Sequence, residues 1–172
     1  TFVLAGNTTA NDNSAFGYFS LGTNTTGTGN TAYGKGTLAL NTTASNNTAV
    51  GLVALTLNTT GEQNTGIGKG ALSANTTGSY NTAVGFHALD LNTTGGQNTA
   101  VGQNAGDAIT TGSANTCLGQ SALLNITTAS NNTAIGVDTL NANTTGSENV
   151  GVGIYALDGC TTGANNTAVG YH

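Results

Sequence analysis

The sequence predicts an all-β fold: a parallel β-solenoid (β-roll) of about ten 17-residue rungs. Three observations predict it. The chain repeats every 17 residues with no insertion or deletion across 172 residues. Asn, Thr and Gly make up 85 of those residues, the composition of turns and β-rich ladders. And the repeat is too short for a helical hairpin unit, which needs about 33 residues or more.

Numbering each copy from its asparagine, repeats begin at residues 13, 30, 47, 64, 81, 98, 115, 132, 149 and 166. The consensus is N-T-A-V-G-x-x-A-L-x-x-N-T-T-G-x-x. Position 1 is invariant: Asn13, Asn30, Asn47, Asn64, Asn81, Asn98, Asn115, Asn132, Asn149 and Asn166. Asn tolerates left-handed backbone and can hydrogen-bond to its own copy one rung away, so this column is predicted to be an amide ladder at a corner. Position 5 is always Gly, from Gly17 to Gly170, which suits a bend with positive φ. Positions 13 and 14 are always Thr-Thr, from Thr8–Thr9 to Thr161–Thr162.

Two short strands per rung are expected, T-A-V-G and A-L with its flanks, separated by Gly/Asn/Ser turns. Apolar position 4 (Phe16, Tyr33, Val50, Ile67, Val84, Val101, Leu118, Ile135, Val152, Val169) and Leu at position 9 are expected to fill a thin core. Two large apolar side chains per rung give little burial. Inter-rung hydrogen bonds, side-chain ladders and packing against other chains are therefore expected to contribute. Residues 1–172 are read as one uncapped repeat array. It starts and stops mid-repeat, and it is expected to belong to a longer run of repeats.

Composition excludes several classes. There is no proline for a collagen and no strong net charge for ordinary disorder, the formal value being −5. Two lysines and no arginine cannot build a nucleic-acid surface. No apolar run reaches the roughly 18 residues of a membrane-spanning segment. Charge occurs only at variable positions 6, 7, 10, 16 and 17.

The repeat resembles the head repeats of trimeric autotransporter adhesins. It is more similar still to repeats in phage and virus tail fibres and large bacterial surface proteins. Asn47–Gln63, Asn64–Tyr80 and Asn81–Gln97 carry the motif best. The resemblance implies a left-handed parallel roll, often trimeric, in an extracellular stalk or fibre on a cell or virion surface. It also implies self-association and a tip that meets a host-surface glycan or receptor. The expected function is thus a structural, non-enzymatic segment, with ice binding or glycan binding as the alternative.

Chemistry-bearing residues are sparse. No catalytic, metal or cofactor-binding residue is assigned, and no cofactor is implied. Asp90, Asp107 and Asp158 share position 10, where stacked carboxylates could attract Ca²⁺, but surface charge is the simpler reading. His87 and His172 share position 7 five rungs apart, roughly 24 Å, too far for one metal. Cys117 and Cys160 lie more than two rungs apart and are read as free thiols. Eleven N-x-T sequons occur. Asn7, Asn24, Asn41, Asn58, Asn75, Asn92 and Asn143 at position 12 are candidate glycosylation sites, with Asn46, Asn131 and Asn165 at position 17, and Asn125. Turn chemistry alone would also produce them. Aromatics cluster at positions 6 and 7 (Phe2, Tyr18, Phe19, Phe86, Tyr155, Tyr171), where they could meet sugars or a partner chain. Ice binding would need two outward Thr ranks, and adjacent threonines supply one.

Overall fold

The computed structural model describes residues 2–172. Ten strands form one parallel sheet in strict chain order. They are β1 (Ser14–Phe16), β2 (Thr31–Tyr33), β3 (Thr48–Val50), β4 (Thr65–Ile67), β5 (Thr82–Val84), β6 (Thr99–Val101), β7 (Thr116–Leu118), β8 (Thr133–Ile135), β9 (Val150–Val152) and β10 (Thr167–Val169). Each strand pairs with the next at an offset of one repeat, as in Thr48↔Thr65 and Val50↔Ile67. The chain is a β-solenoid of about nine turns. Among the described residues no helix is long and apolar enough to cross a membrane.

Two expectations about the rung need correcting. The first concerns the core. Along a strand, side chains alternate between the two faces. Position 1 points inward, so position 3 does too, and positions 2 and 4 point out. Ala32, Ala49, Ala83, Ala100 and Ala134 at position 3 are fully buried, whereas Phe16, Tyr33, Val50, Ile67, Val101 and Ile135 at position 4 are exposed. Opposite a core leucine, the buried side is too close to the far wall for anything larger. A methyl added at Gly66 would lie 3.4 Å from Leu55 Cγ and 3.2 Å from the Ala71 carbonyl. The apolar core is instead alanine at position 3, small residues at position 8, and Leu21, Leu38, Leu55, Leu72, Leu89, Leu123 and Leu140 at position 9.

The second correction concerns the A-L segment, which forms no strand. Positions 6–11 are turn, because φ is positive at position 7 and again at position 9. Leu21, Leu38, Leu55, Leu72, Leu89, Leu123 and Leu140 have φ of 47–53°. At position 7, even the β-branched Val53 is held at 54°. Position 17 is also left-handed, as at Asn46 (61°) and Gln97 (61°). The position-5 glycines have the expected positive φ, from 124° to 148°. Their φ makes the bend, and their missing Cβ lets rungs close: one added at Gly51 would lie 2.6 Å from the Gly68 oxygen.

Inter-rung bonding continues around this curled part. Leu55 N–H donates to the Ala71 carbonyl (3.0 Å), Gly36 N–H to Tyr18 (2.9 Å) and Asn46 N–H to Thr28 (2.9 Å). The core's other half is polar. From Asn30 to Asn166, each position-1 backbone N–H donates to the preceding Asn Oδ1 at 2.9–3.0 Å. A second ladder runs through position 12: Asn24, Asn41, Asn58, Asn75 and Asn92 each donate Nδ2 to the Asn Oδ1 below at 2.7–3.1 Å. Both columns also donate to the position-15 carbonyl, so Gly61 O accepts from Asn47 (3.0 Å) and Asn58 (2.8 Å). Buried amides are thus paired, as burial demands.

The second ladder stops at Asn92. Ile109 replaces the next asparagine, and Asn92 Oδ1 is left buried without a donor among the described residues. The same rung has Gly106 in place of the core leucine. The two substitutions compensate, because a Cβ at Gly106 would meet Ile109 Cδ1 at 3.0 Å, Leu89 Cδ2 at 3.1 Å and Cys117 Sγ at 3.2 Å. Isoleucine from position 12 and a cysteine at position 3 fill the space leucine vacates.

Candidate functional site

The invariant columns are consumed by architecture. Thr at position 13 ties rungs together: Thr25 Oγ1 donates to Thr42 O (2.9 Å) and Thr76 Oγ1 to Thr93 O (2.9 Å). Position 14 is exposed, from Thr26 and Thr43 to Thr145. The Thr-Thr pair therefore presents one outward rank.

The position-12 sequons lie in the wrong place for modification. Asn24, Asn41, Asn58, Asn75, Asn92 and Asn143 are fully buried. Their Nδ2, the atom a glycan would occupy, donates to the carbonyl three residues on at 2.8–3.0 Å. The candidate glycosylation role fails at these six positions in the folded chain. Asn7, Asn46, Asn125, Asn131 and Asn165 are exposed.

Two surfaces remain where side chains are free to act. The first is the outer face of the sheet. Position 4 forms an apolar column, rimmed by position-2 threonines such as Thr48 and Thr65. Phe16 and Tyr33 stack within it, ring centroids 4.8 Å apart and 16° from parallel. Ten strands spaced about 4.8 Å make the column roughly 48 Å long.

The second is the corner formed by positions 7 and 10. Both columns vary, and they face each other. Asn141 Nδ2 donates to Asp138 Oδ1 across it (2.8 Å), and Thr56 Oγ1 to the Val53 carbonyl (2.9 Å). At Gly36 the corner opens into a shallow apolar groove of about 460 Å³ between Phe19 and Val53, edged by Tyr18 and Lys35. Lys69 lies over Phe86, 5.3 Å from the ring centre.

At the same corner His87, Asp90 and Asp107 converge, with ligand atoms all within 4.8 Å of one another. His87 Nδ1 is 2.5 Å from Asp90 Oδ2, and Ser73 donates its hydroxyl to the other oxygen, Oδ1. Asp107, half-buried one rung further on, has its carboxyl pushed above the usual range. Burial is the main cause, the Asp90 charge adds to it, and His87 opposes it. His172 Nδ1 also reaches 4.0 Å from Asp158 Oδ1, so both histidines have carboxylate partners. Sequence reasoning considered the aspartates and the histidines as separate columns and missed their meeting. The readable signal was a His–Asp pair three residues apart with a second Asp one period later.

The two thiols are free and unbridged, Cys117 buried and Cys160 half-buried. Burial pushes the Cys117 thiol up to about 12. Comparison with family models, with curated proteins and with solved structures found no match.

Proposed function

We propose that the chain is a structural segment of an extracellular fibre or stalk, on a cell or virion surface, whose copies associate side by side. The observation that carries this reading is the apolar column on the outer sheet face. Monomeric proteins rarely expose a continuous apolar patch of this kind, and rimmed patches mark association surfaces. A strip about 48 Å long and three residues wide, roughly 10 Å, offers about 480 Å² in projection. That is more than half of the roughly 800 Å² each partner contributes to a standard interface, and in the range of a smaller, reversible one. Flat strands with identical 17-residue spacing on both partners would let copies align rung against rung. The occupant we infer is therefore a second or third copy of this chain. The resemblance of the repeat to adhesin and tail-fibre repeats supports the setting. In it, a non-enzymatic rod holds a region that meets a host-surface glycan or receptor.

Sedimentation velocity tests the reading. The chain should sediment as a multiple of 16.8 kDa. The variant Val50→Lys/Ile67→Lys/Val101→Lys should sediment as a monomer with an unchanged far-ultraviolet spectrum. A folded wild-type monomer at 100 μM would overturn the proposal.

A further inference from the structure

We propose that His87, Asp90 and Asp107 form a site for one divalent transition-metal ion of the zinc type. The site is independent of the association surface above. Three features separate it from ordinary surface charge. The donors are one imidazole nitrogen and carboxylate oxygens from two rungs, already within 4.8 Å of each other. Tetrahedral zinc with bonds of about 2.0–2.2 Å holds its donors roughly 3.4 Å apart, so side-chain rotations would open the His87–Asp90 pair from 2.5 Å and draw Asp107 in.

The imidazole is seated by its surroundings. Position 7 in the rung below is Gly70, and a Cβ there would lie 3.0 Å from His87 Nδ1 and Cε1. The Phe86 ring packs against the imidazole, centroids 4.1 Å apart and tilted by 60°. Ser73 fixes the Asp90 carboxylate from below. This is the orienting support that metal-ligating groups receive in built sites. The third feature is Asp107 itself. Among the described residues no hydrogen-bond donor reaches its carboxylate, although it is half-buried beside a second carboxylate. Among the described residues His87 is the one basic side chain paired with either carboxylate.

The donor chemistry selects the ion. Calcium takes six to eight oxygens, and this corner has too few and includes a nitrogen. Imidazole with carboxylate suits zinc, cobalt, nickel and copper. Coordination through Nδ1 requires the Nε2–H tautomer of His87. A proton on Nδ1 is released when the ion binds there. Three protein ligands leave at least one position open to water or to an exogenous donor.

Isothermal titration of the full chain with ZnCl₂ at pH 7.5 tests the site. Cobalt chloride serves as an optical probe. One equivalent should bind at micromolar affinity, and cobalt should give visible d–d bands of a low-coordinate site. His87→Ala and Asp107→Asn should each weaken zinc binding at least tenfold, while His172→Gln should leave it unchanged. A measurement on the unmutated site guards against variants that fail to fold. In His172→Gln the single remaining histidine Cε1–H resonance should shift on zinc addition. No heat and no shift at 1 mM zinc would overturn the proposal, as would binding that survives His87→Ala in a folded variant.

Discussion

Replacing Ile109 by asparagine restores the consensus residue at position 12, yet it should destabilise the protein. Ile109 is fully buried and fills the hole beside Gly106. Removing it forfeits the burial of a large aliphatic side chain and leaves a cavity, at a cost of about 3 kcal/mol. The ladder gains nothing in compensation. Asn92 Oδ1 would acquire a donor, but the carbonyl oxygen of the introduced amide would face Ile126, and the unpaired atom would move up one rung. Gly106→Leu, also a return to consensus, should destabilise by about 1–2 kcal/mol. Its Cβ would already crowd Ile109, Leu89 and Cys117 at 3.0–3.2 Å. The left-handed φ of 60° is no obstacle, since neighbouring leucines occupy that conformation. The double variant Gly106→Leu/Ile109→Asn rebuilds the ordinary rung and should fall within about 1 kcal/mol of wild type. Cys117→Ala should remove the residual crowding. Urea unfolding followed by circular dichroism would read a coupling of about 3–5 kcal/mol. Additive effects, within about 0.5 kcal/mol, would refute the packing argument.

Gly51→Ala should lower stability by at least about 2–3 kcal/mol, from φ strain and the 2.6 Å approach to Gly68 O. Gly61→Ala should cost less in the same thermal melt: its Cβ would also approach the Gly78 carbonyl, but its backbone is not left-handed, and Ala44 and Ala129 occupy the same column. An aromatic disulfide reagent should label Cys160 in the folded chain and reach Cys117 only on unfolding. The Cys117 thiol also predicts an alkaline loss of stability. Its folded pKa is raised to about 12, so the protonated thiol is favoured by folding. The contribution is complete below the unfolded value near 9 and is lost as pH rises towards 12. Cys117→Ala should flatten that part of the stability curve. In a glycosylating host, peptide mapping should find glycan only at Asn7, Asn46, Asn125, Asn131 or Asn165. Occupancy at Asn58 or Asn75 in folded protein would contradict the buried ladder.

What could be read from the sequence divides along a physical line. Features that every rung repeats were visible: the period, the parallel stacking, the amide column from Asn13 to Asn166, and the glycine bend at Gly17 and its copies. Identical residues stacked one above another must tolerate their own copies, and few chemistries do. The parity of the strand was not visible, because choosing the larger apolar residue for the core favours Val50 over Ala49. The decisive quantity was the thinness of the rung, which leaves space for a methyl opposite Leu55. Nor does leucine advertise a left-handed backbone. The φ of Leu55 and Leu89 is imposed by the rungs on either side, and no composition rule reports it.

The burial of the position-12 asparagines and the exposure of the position-4 aliphatics have one cause, which bears on where such a rod can carry function. A narrow solenoid places amides inside because a paired amide spans the gap between rungs that two methyl groups would leave open. Two aliphatics do enter the column: Ile109, beside Gly106 where the core leucine is missing, and Ile126 directly above it, whose rung keeps Leu123. The position-4 aliphatics, which have no room opposite the core leucines, accumulate on the outer sheet face, where we propose that copies associate. Positions 7 and 10 bear no ladder that identity must preserve, so chemistry can vary there rung by rung. Side chains at such a corner acquire partners at fixed spacing from the rungs above and below. Three substitutions, at residues 87, 90 and 107, are enough to gather donors that elsewhere in the chain remain apart.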